Sequence, residues 1–542
     1  MNHITLAATA GALLAGATVA QVNVSSDITT STTWTANNVY NLTQQIYVRN
    51  GATLTIQAGT VIASQPTANG AGSLAVSRGS QIMVMGTELN PVIMTSTNDT
   101  ATWTGGNPKT GTWRAAANEW GNLTLMGDAF ISEDQNPSTN SPTFAGSNYG
   151  TMEGLTAAFP GDDRHLYGGG NDNDSSGTVK YLSLRYGGRV IGANNELNGM
   201  SVGGVGRGTT IHHVEIMNNV DDGIETWGGT VNYKNIAIMN VGDDSFDVDQ
   251  GWRGRAQYVF IVQGYSLLAA QGSGWGDNAF ETDGAEQSDY QPRTRATIYN
   301  ATVVGCPKVA IPILGNKGGT DRGTAWRDGA GVQYNNCIFM DLGEELMVFD
   351  NVDGDGGLGY GYNGTRTWDQ MWTTAFNNYP NVNAPASPAQ YYQSQTSGNL
   401  CQFNDCVFYN NNDSDAYNEY NSRTALAGHN NYNNVFATVS PIASLTRSAA
   451  VQPVPNEPLQ PVATIDPLPR NDALTPVGYA SGSDFFDAAK VRGAFKPGNN
   501  WATGWTAMDA FGFLTNNGWT DLGEATEGFS GDPLLTATGT LA

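Results

Sequence analysis

Two acidic blocks stand twenty-two residues apart and carry the chain's densest potential for chemistry: Asp221-Asp222-Gly223-Ile224-Glu225 and Asp243-Asp244-Ser245-Phe246-Asp247. Carboxylates this crowded can work in two ways. Paired across a water they act as general acid and general base, because each raises its neighbour's pKa and keeps one of them protonated near neutral pH. Gathered round a hard cation they supply the oxygen ligands that Ca2+ prefers. A third role needs no ligand at all. Asp at a turn favours the left-handed and Asx-turn geometries that a repeated corner requires, and Asp277 and Glu281 recur at the positions of Asp243 and Asp247 as such a corner would. Stacked carboxylates repel, so Ca2+ bridging the rows is the expected remedy.

The blocks sit inside a wider repeat. His213-Val214-Glu215-Ile216-Met217-Asn218 precedes the first and Asn235-Ile236-Ala237-Ile238-Met239-Asn240 precedes the second, at the same step. Short alternating apolar runs separated by Gly, Asn and Asp turns predict a β-solenoid, in which each coil buries its apolar face only by stacking on its neighbours. Stacking sets Asp221 beside Asp243, Asp222 beside Asp244 and Glu225 beside Asp247, at the inter-strand spacing of about 4.8 Å. Runs such as Ile46-Tyr47-Val48, Leu54-Thr55-Ile56 and Val61-Ile62 give three short strands per turn, the triangular section of an all-β, right-handed parallel β-helix.

The same rhythm divides the chain. Residues 1–20 hold a short apolar run ending Thr18-Val19-Ala20, read as a secretory signal peptide. N-terminal coils are expected over 21–132, a loop insertion rich in Asn, Asp, Gly and Ser over 133–176, and the central β-helix over 177–412 with its own long insertions. A Pro-rich strap or linker follows over 413–490, and 491–542, with Trp501 and Trp505, is expected to cap the open end.

Composition narrows the function classes. A net charge of −24 excludes a phosphate-binding surface and hence nucleic acid as partner. No stretch beyond the leader is long and apolar enough for a membrane span, so a secreted, extracellular or cell-surface protein is expected. Gly at 67 of 542 residues with only 14% charged residues suits turn-rich β structure. Cys337 and Cys406 begin equivalent rows and would be stacked neighbours, as a disulfide or as two buried thiols; Cys306 and Cys401 complete the set. Five scattered histidines, and no motif for a nucleophile or a nucleotide, leave no organic cofactor implied.

Other residues qualify as ligands. Asn351-x-Asp353-x-Asp355-Gly356 resembles a calcium-binding loop, although Tyr362 stands where the distal acid would be. Lys234, Arg253 and Arg255 flank the second block and could meet the carboxylate of an acidic substrate or serve as a base. Trp368 and Trp372, with Tyr379, Tyr391 and Tyr392, fall in one insertion and could stack on sugar rings.

Five blocks carry a resemblance: GATLTIQAGTVI (51–62), WGNLTLMGDAFIS (120–132), DDGIETWGGTVN (221–232), GDDSFDVDQGWRG (242–254) and FKPGNNWATGWT (495–506). With them the chain resembles secreted bacterial right-handed β-helices of the pectin-lyase-like superfamily, which implies the fold and a surface or extracellular location but no particular activity. Locally, DDG followed by GDD is similar to the core of polygalacturonase-type glycoside hydrolases. That similarity implies Asp244 as the acid and Asp222 with Asp243 as the groups activating water. Val220-Asp221 replace the Asn-Thr of that motif, Gly264-Tyr265-Ser266 stands in place of Gly-His-Gly, and Arg293-Thr294-Arg295 only echoes the Arg-x-Lys that binds substrate carboxylate. Two functions remain open. One is a non-catalytic surface or matrix protein, stabilised by Ca2+ on Asp221, Asp222, Asp243, Asp244 and Asp247, that binds polysaccharide, a neighbouring surface protein or further copies of itself. The other is a polysaccharide-degrading hydrolase or Ca2+-dependent lyase using the same acids.

Overall fold

The computed structural model describes residues 20–515 except 68–71, 134–147, 156–160, 193–194, 265–275, 286–291, 308–318, 350–367, 375–397, 412–432, 455–456 and 471–484. The leader up to Val19 and the calcium-like loop of Asn351, Asp353 and Asp355 therefore lie outside the described residues, as do Tyr265, Ser266, Tyr379, Tyr391, Tyr392 and the tail beyond Thr515.

Among the described residues the chain winds into a parallel β-helix built from one 17-stranded and one 9-stranded sheet. Equivalent residues of successive coils pair directly: Val179 with Ile211, Ile211 with Tyr233, and Tyr233 with Ala256. The long sheet is bent into two faces. Its strands Gly177–Arg185, Thr210–Met217, Asn232–Met239 and Arg255–Val262 each skip one residue of register, at Tyr181, His213, Asn235 and Tyr258. Those four residues have φ of 48°, 52°, 55° and 60°, and Asn300, Asn336 and Asp405 continue the row. Asn tolerates this left-handed conformation because its short side chain bonds locally, whereas Tyr and His pay of order 1–3 kcal/mol for it. The second sheet, whose central strands are Met200–Gly203, Ile224–Trp227, Phe246–Asp249 and Phe280–Asp283, closes the triangle. One left-handed corner thus lies between the two faces of the long sheet, and a second, at Tyr186, Asn218, Asn240 and Asp341, follows the long strands; Asp221, Asp222, Asp243 and Asp244 are not themselves left-handed. The left-handed half of the role expected of them is corrected; the local capping half is met by Asp222 and Asp244.

Alternation puts Val214, Ile216, Ile236, Ile238, Val259 and Ile261 inside, all essentially inaccessible. The core ends in a stack of rings. In the short helix Trp368–Thr373, Trp372 is fully buried and stacks on Trp326 at 5.2 Å and on Phe403 at 6.0 Å. Among the described residues, this helix covers the core there.

The C-terminal segment lies along a flank instead. Asn300 Nδ2 donates to the Val491 carbonyl at 2.7 Å, and Arg492 Nε donates to that of Asp405 at 2.7 Å, so the segment follows the row of corner residues. Phe495, Ala502 and Met508 then pack on the outward-facing Met217, Met239, Phe260 and Val304. The physical reason is that the outward columns of this face are apolar and need a cover along their length. Within the expected strap, Ile442–Arg447 pairs antiparallel with Val462–Pro469. Arg447 Nη2 donates to Asp341 at 2.6 Å and to the Gly305 carbonyl at 2.7 Å.

The first insertion folds back in the same way. Gly150–Thr151 pairs with Leu166–Tyr167, and Met152, Leu155 and Tyr167 pack on Tyr47, Ala75, Met126 and Trp227 of the second sheet's outer face. It covers the N-terminal part of that face and stops where the acidic rows begin.

Candidate metal centre

The acidic rows form two parallel columns. On the outer face of the second sheet, Ser201, Glu225, Asp247 and Glu281 pair in register. Beside them, in the turn that enters each strand, Asp222 Oδ1 accepts the backbone N–H of Asp244 at 2.8 Å. Asp244 Oδ1 in turn accepts that of Asn278 at 2.6 Å, and Asn198 Oδ1 accepts that of Asp222 at 3.2 Å. The column is an Asx ladder: each side chain caps the peptide of the next coil, which is why a short acceptor recurs there. The spacing of the blocks predicted both columns in the observed register.

Three sets of carboxylates converge: Asp221, Asp222 and Asp243; Asp222, Glu225 and Asp247; and Asp243, Asp244 and Asp277. In each set, one oxygen per residue lies within 4.8 Å of the others. Asp222, Asp244 and Asp247 are buried, whereas Asp221, Glu225, Asp243 and Asp277 are partly open to solvent. Asp247 Oδ1 is buried without a hydrogen-bond partner. A donor set made wholly of carboxylate oxygens, with Asp247 Oδ1 and Asp277 Oδ1 left without hydrogen bonds, fits a hard divalent cation such as Ca2+ and does not fit zinc or copper.

Burial and like charge act together on much of the site. Burial, and then the neighbouring carboxylates, push Asp221, Asp222, Glu225, Asp244 and Asp247 well above the usual carboxylate range. Burial and then Asp283 raise Glu281 to about 7, and burial and then Asp277 raise Asp321 to about 9. Arginines gather at the distal end. Arg327 pairs with Glu281 at 2.9 Å and Asp283 at 2.8 Å, and Arg322 pairs with Glu344 at 2.7 Å and Glu345 at 3.1 Å.

The other expected ligands lie elsewhere. Arg253 is 1% exposed and anchors the first insertion, donating to Asp172 at 2.6 and 2.8 Å and to the Phe130 carbonyl at 3.0 Å, so it is not a surface cation for substrate. Arg255 is on the long sheet, with its guanidinium 5.0 Å from the ring of Phe485 and Nε donating to Asn232 at 3.2 Å. Lys234 Nζ donates to Asp487 at 2.7 Å, tying down the same segment. Trp372 is core, not a sugar platform, and the side chain of Trp368 lies outside the described residues. Arg293 and Arg295 are buried, donating to the carbonyls of Asp328 at 2.9 Å and Gly329 at 3.0 Å.

Sequence reading missed Glu153 and Glu196. Glu153 is pushed to about 7 by burial and then by Glu196, and both add to the negative field on Asp221. Neither belongs to the repeat, so no periodicity marks them. Asp321, Arg322 and Arg327 do stand on the repeat, one coil beyond Asp277, Asn278 and Asp283, but the long insertion between those coils hides the step in the sequence.

A family model described as a pectate-lyase like beta helix domain matches residues 26–356. No curated protein and no solved structure matches the chain significantly. With strands pairing in parallel along both sheets and the family model covering more than half its length, the chain belongs to the pectate-lyase-like beta-helix family.

Proposed function

We propose that this chain is a secreted or cell-surface β-helix whose acidic flank takes up Ca2+, and that the loaded flank binds acidic polysaccharide without cleaving it. One observation carries the reading: three sets of carboxylate oxygens from adjacent coils converge within 4.8 Å on rows that the backbone itself holds in place. Asp221, Asp222, Glu225, Asp243, Asp244, Asp247 and Asp277 would hold the ions. A bound cation relieves the mutual repulsion of the rows and offers its remaining coordination positions to uronate oxygens.

Binding fits better than catalysis on two grounds. A hydrolytic pair needs carboxyls with pKa values pushed apart, one high and one low, whereas the expected acid Asp244 and the expected base Asp222 are both shifted upward. Asp222 and Asp244 also commit an oxygen each to a backbone N–H and are buried, away from any polymer. A lyase would need a deprotonated base. Arg322 and Arg327 are the arginines at the distal end of the rows, and neighbouring carboxylates raise the pKa of both against the effect of burial, which holds their protons on.

The test is retention of the purified protein on immobilised polygalacturonate. Binding in Ca2+ and release by EDTA is expected. Metal-independent retention would remove the ion from the interface, and new reducing or unsaturated ends in the polymer would replace binding with cleavage.

A further inference from the structure

The flank that carries the C-terminal segment continues past it. The outward column that includes Glu215, Ala237 and Phe260 runs back through Ser183 to Ile93, Val61 and Val39. Over those last three residues the cover stands off, and a cavity of about 400 Å³ opens between the column, the turns at 100–109 and the segment 504–510. That volume falls within the range of about 300–1,000 Å³ usual for small-molecule sites. Val39, Val61 and Ile93 make an apolar floor, while Trp103 and Trp505 stand in the walls.

The polar groups are few and convergent. Arg185, only 1% exposed, closes one end. Its Nε donates to Ser183 at 2.8 Å and its Nη1 approaches Asp99 at 3.5 Å, which leaves further guanidinium N–H groups at a residue that lines the cavity. Asn38, Asn90 and Thr506 add polar groups around the lining. Both signs of charge border the cavity, with Arg185 beside Asp99 at 3.5 Å and Lys109 and Asp509 both in the lining.

The geometry points to a binding site for a neutral saccharide of mono- or disaccharide size in this cavity, separate from the acidic flank. An acyl chain would leave the buried guanidinium and the amides without partners, at a cost per group of about 1–3 kcal/mol. A charged ligand would find no net counter-charge. A pyranose answers both demands, with its C–H face on the apolar floor and its hydroxyls accepting from Arg185 and exchanging hydrogen bonds with the amides.

The test is isothermal calorimetry of the full chain with glucose, galactose, mannose and cellobiose, in EDTA so that the metal rows play no part. Saturable binding of at least one sugar is expected. Val61→Trp, which fills the cavity from a partly exposed strand position, should weaken that binding at least tenfold while leaving the melting temperature unchanged. If that variant fails to fold, Leu89→Trp at the exposed rim serves instead, because Leu89 is 72% exposed. Absence of binding by all four sugars overturns the assignment, and so does equal binding by the filled variant. Neither result bears on Ca2+-dependent retention by polygalacturonate, so the two readings fail separately.

Discussion

Asp222 Oδ1 and the backbone nitrogen of Asp244 lie 2.8 Å apart, one coil of the helix between them. The same oxygen position on Asp244 receives Asn278. The residues best placed to look catalytic are therefore also the ones that hold successive turns in step, and one substitution separates the two roles. Asp244→Asn keeps an acceptor oxygen, so its stability should stay close to that of the parent while Ca2+ affinity drops. Asp244→Ala loses the acceptor and strands a buried N–H, costing about 1–3 kcal/mol. Denaturant titration with and without Ca2+ measures both; equal destabilisation by the two variants would contradict the capping role.

Proton linkage gives a second test with a definite sign. A carboxyl whose folded pKa lies above its unfolded value holds its proton more tightly in the native state, so stability falls as pH rises between the two values. Asp221, Asp222, Glu225, Asp244 and Asp247 are all raised, and Glu281 to about 7. Protein in EDTA should therefore be more stable at about pH 5 than at about pH 8. Saturating Ca2+ competes with those protons, so its stabilisation should grow with pH, reaching about 2.7 kcal/mol at a hundredfold excess over Kd. A melting temperature in EDTA that rises with pH would refute the picture.

Trp372 and Arg253 should both behave as structural residues. Trp372→Ala removes a ring stacked on Trp326 and Phe403 and should cost about 3–5 kcal/mol. Arg253→Ala leaves Asp172 with its principal cation gone, in a site where Asp172 is 9% exposed, and should cost about 3–5 kcal/mol. Assayed where each variant remains folded, retention on polygalacturonate should be unchanged. Selective loss of retention with normal stability would return either residue to a binding surface.

The four cysteines are buried free thiols, with Cys337 opposite Cys406 because Ile338 pairs with Val407. Burial pushes Cys306 up to about 11 and Cys401 up to about 12, and Cys337 is raised by burial and then by Cys406. Native protein should resist an aromatic disulfide reagent near neutral pH, and all four thiols should react after unfolding under non-reducing conditions. Two reactive thiols would mean that Cys337 and Cys406 are bridged.

Much of the site was legible because a solenoid turns sequence distance into space. A fixed step of twenty-two residues sets Asp222 on Asp244 and Glu225 on Asp247 without knowledge of any other contact, and the strand register bears this out. The same logic fails wherever the chain leaves the repeat. Arg253 sits four residues beyond the strand Phe246–Asp249 and gave no sign of being inside; its partner Asp172 arrives from an insertion 81 positions away. Trp372 stands in a polar insertion, where an aromatic side chain reads equally as a platform or as a plug.

The sequence by itself determined the coil, its pitch in residues, the three strands per turn and the juxtaposition of the acidic rows, because these depend on periodicity and on nearest-neighbour stacking alone. Tertiary structure alone decided that the left-handed corners fall at the columns of Asn235 and of Asn240 rather than at Asp221, Asp222, Asp243 and Asp244. It also decided that Glu153 joins the acidic field, that the C-terminal segment lies on a flank, and that a cavity remains beneath Trp505. Each of these depends on where a non-repeating segment comes to rest, which is settled by the apolar columns the coils leave uncovered and not by the local order of residues.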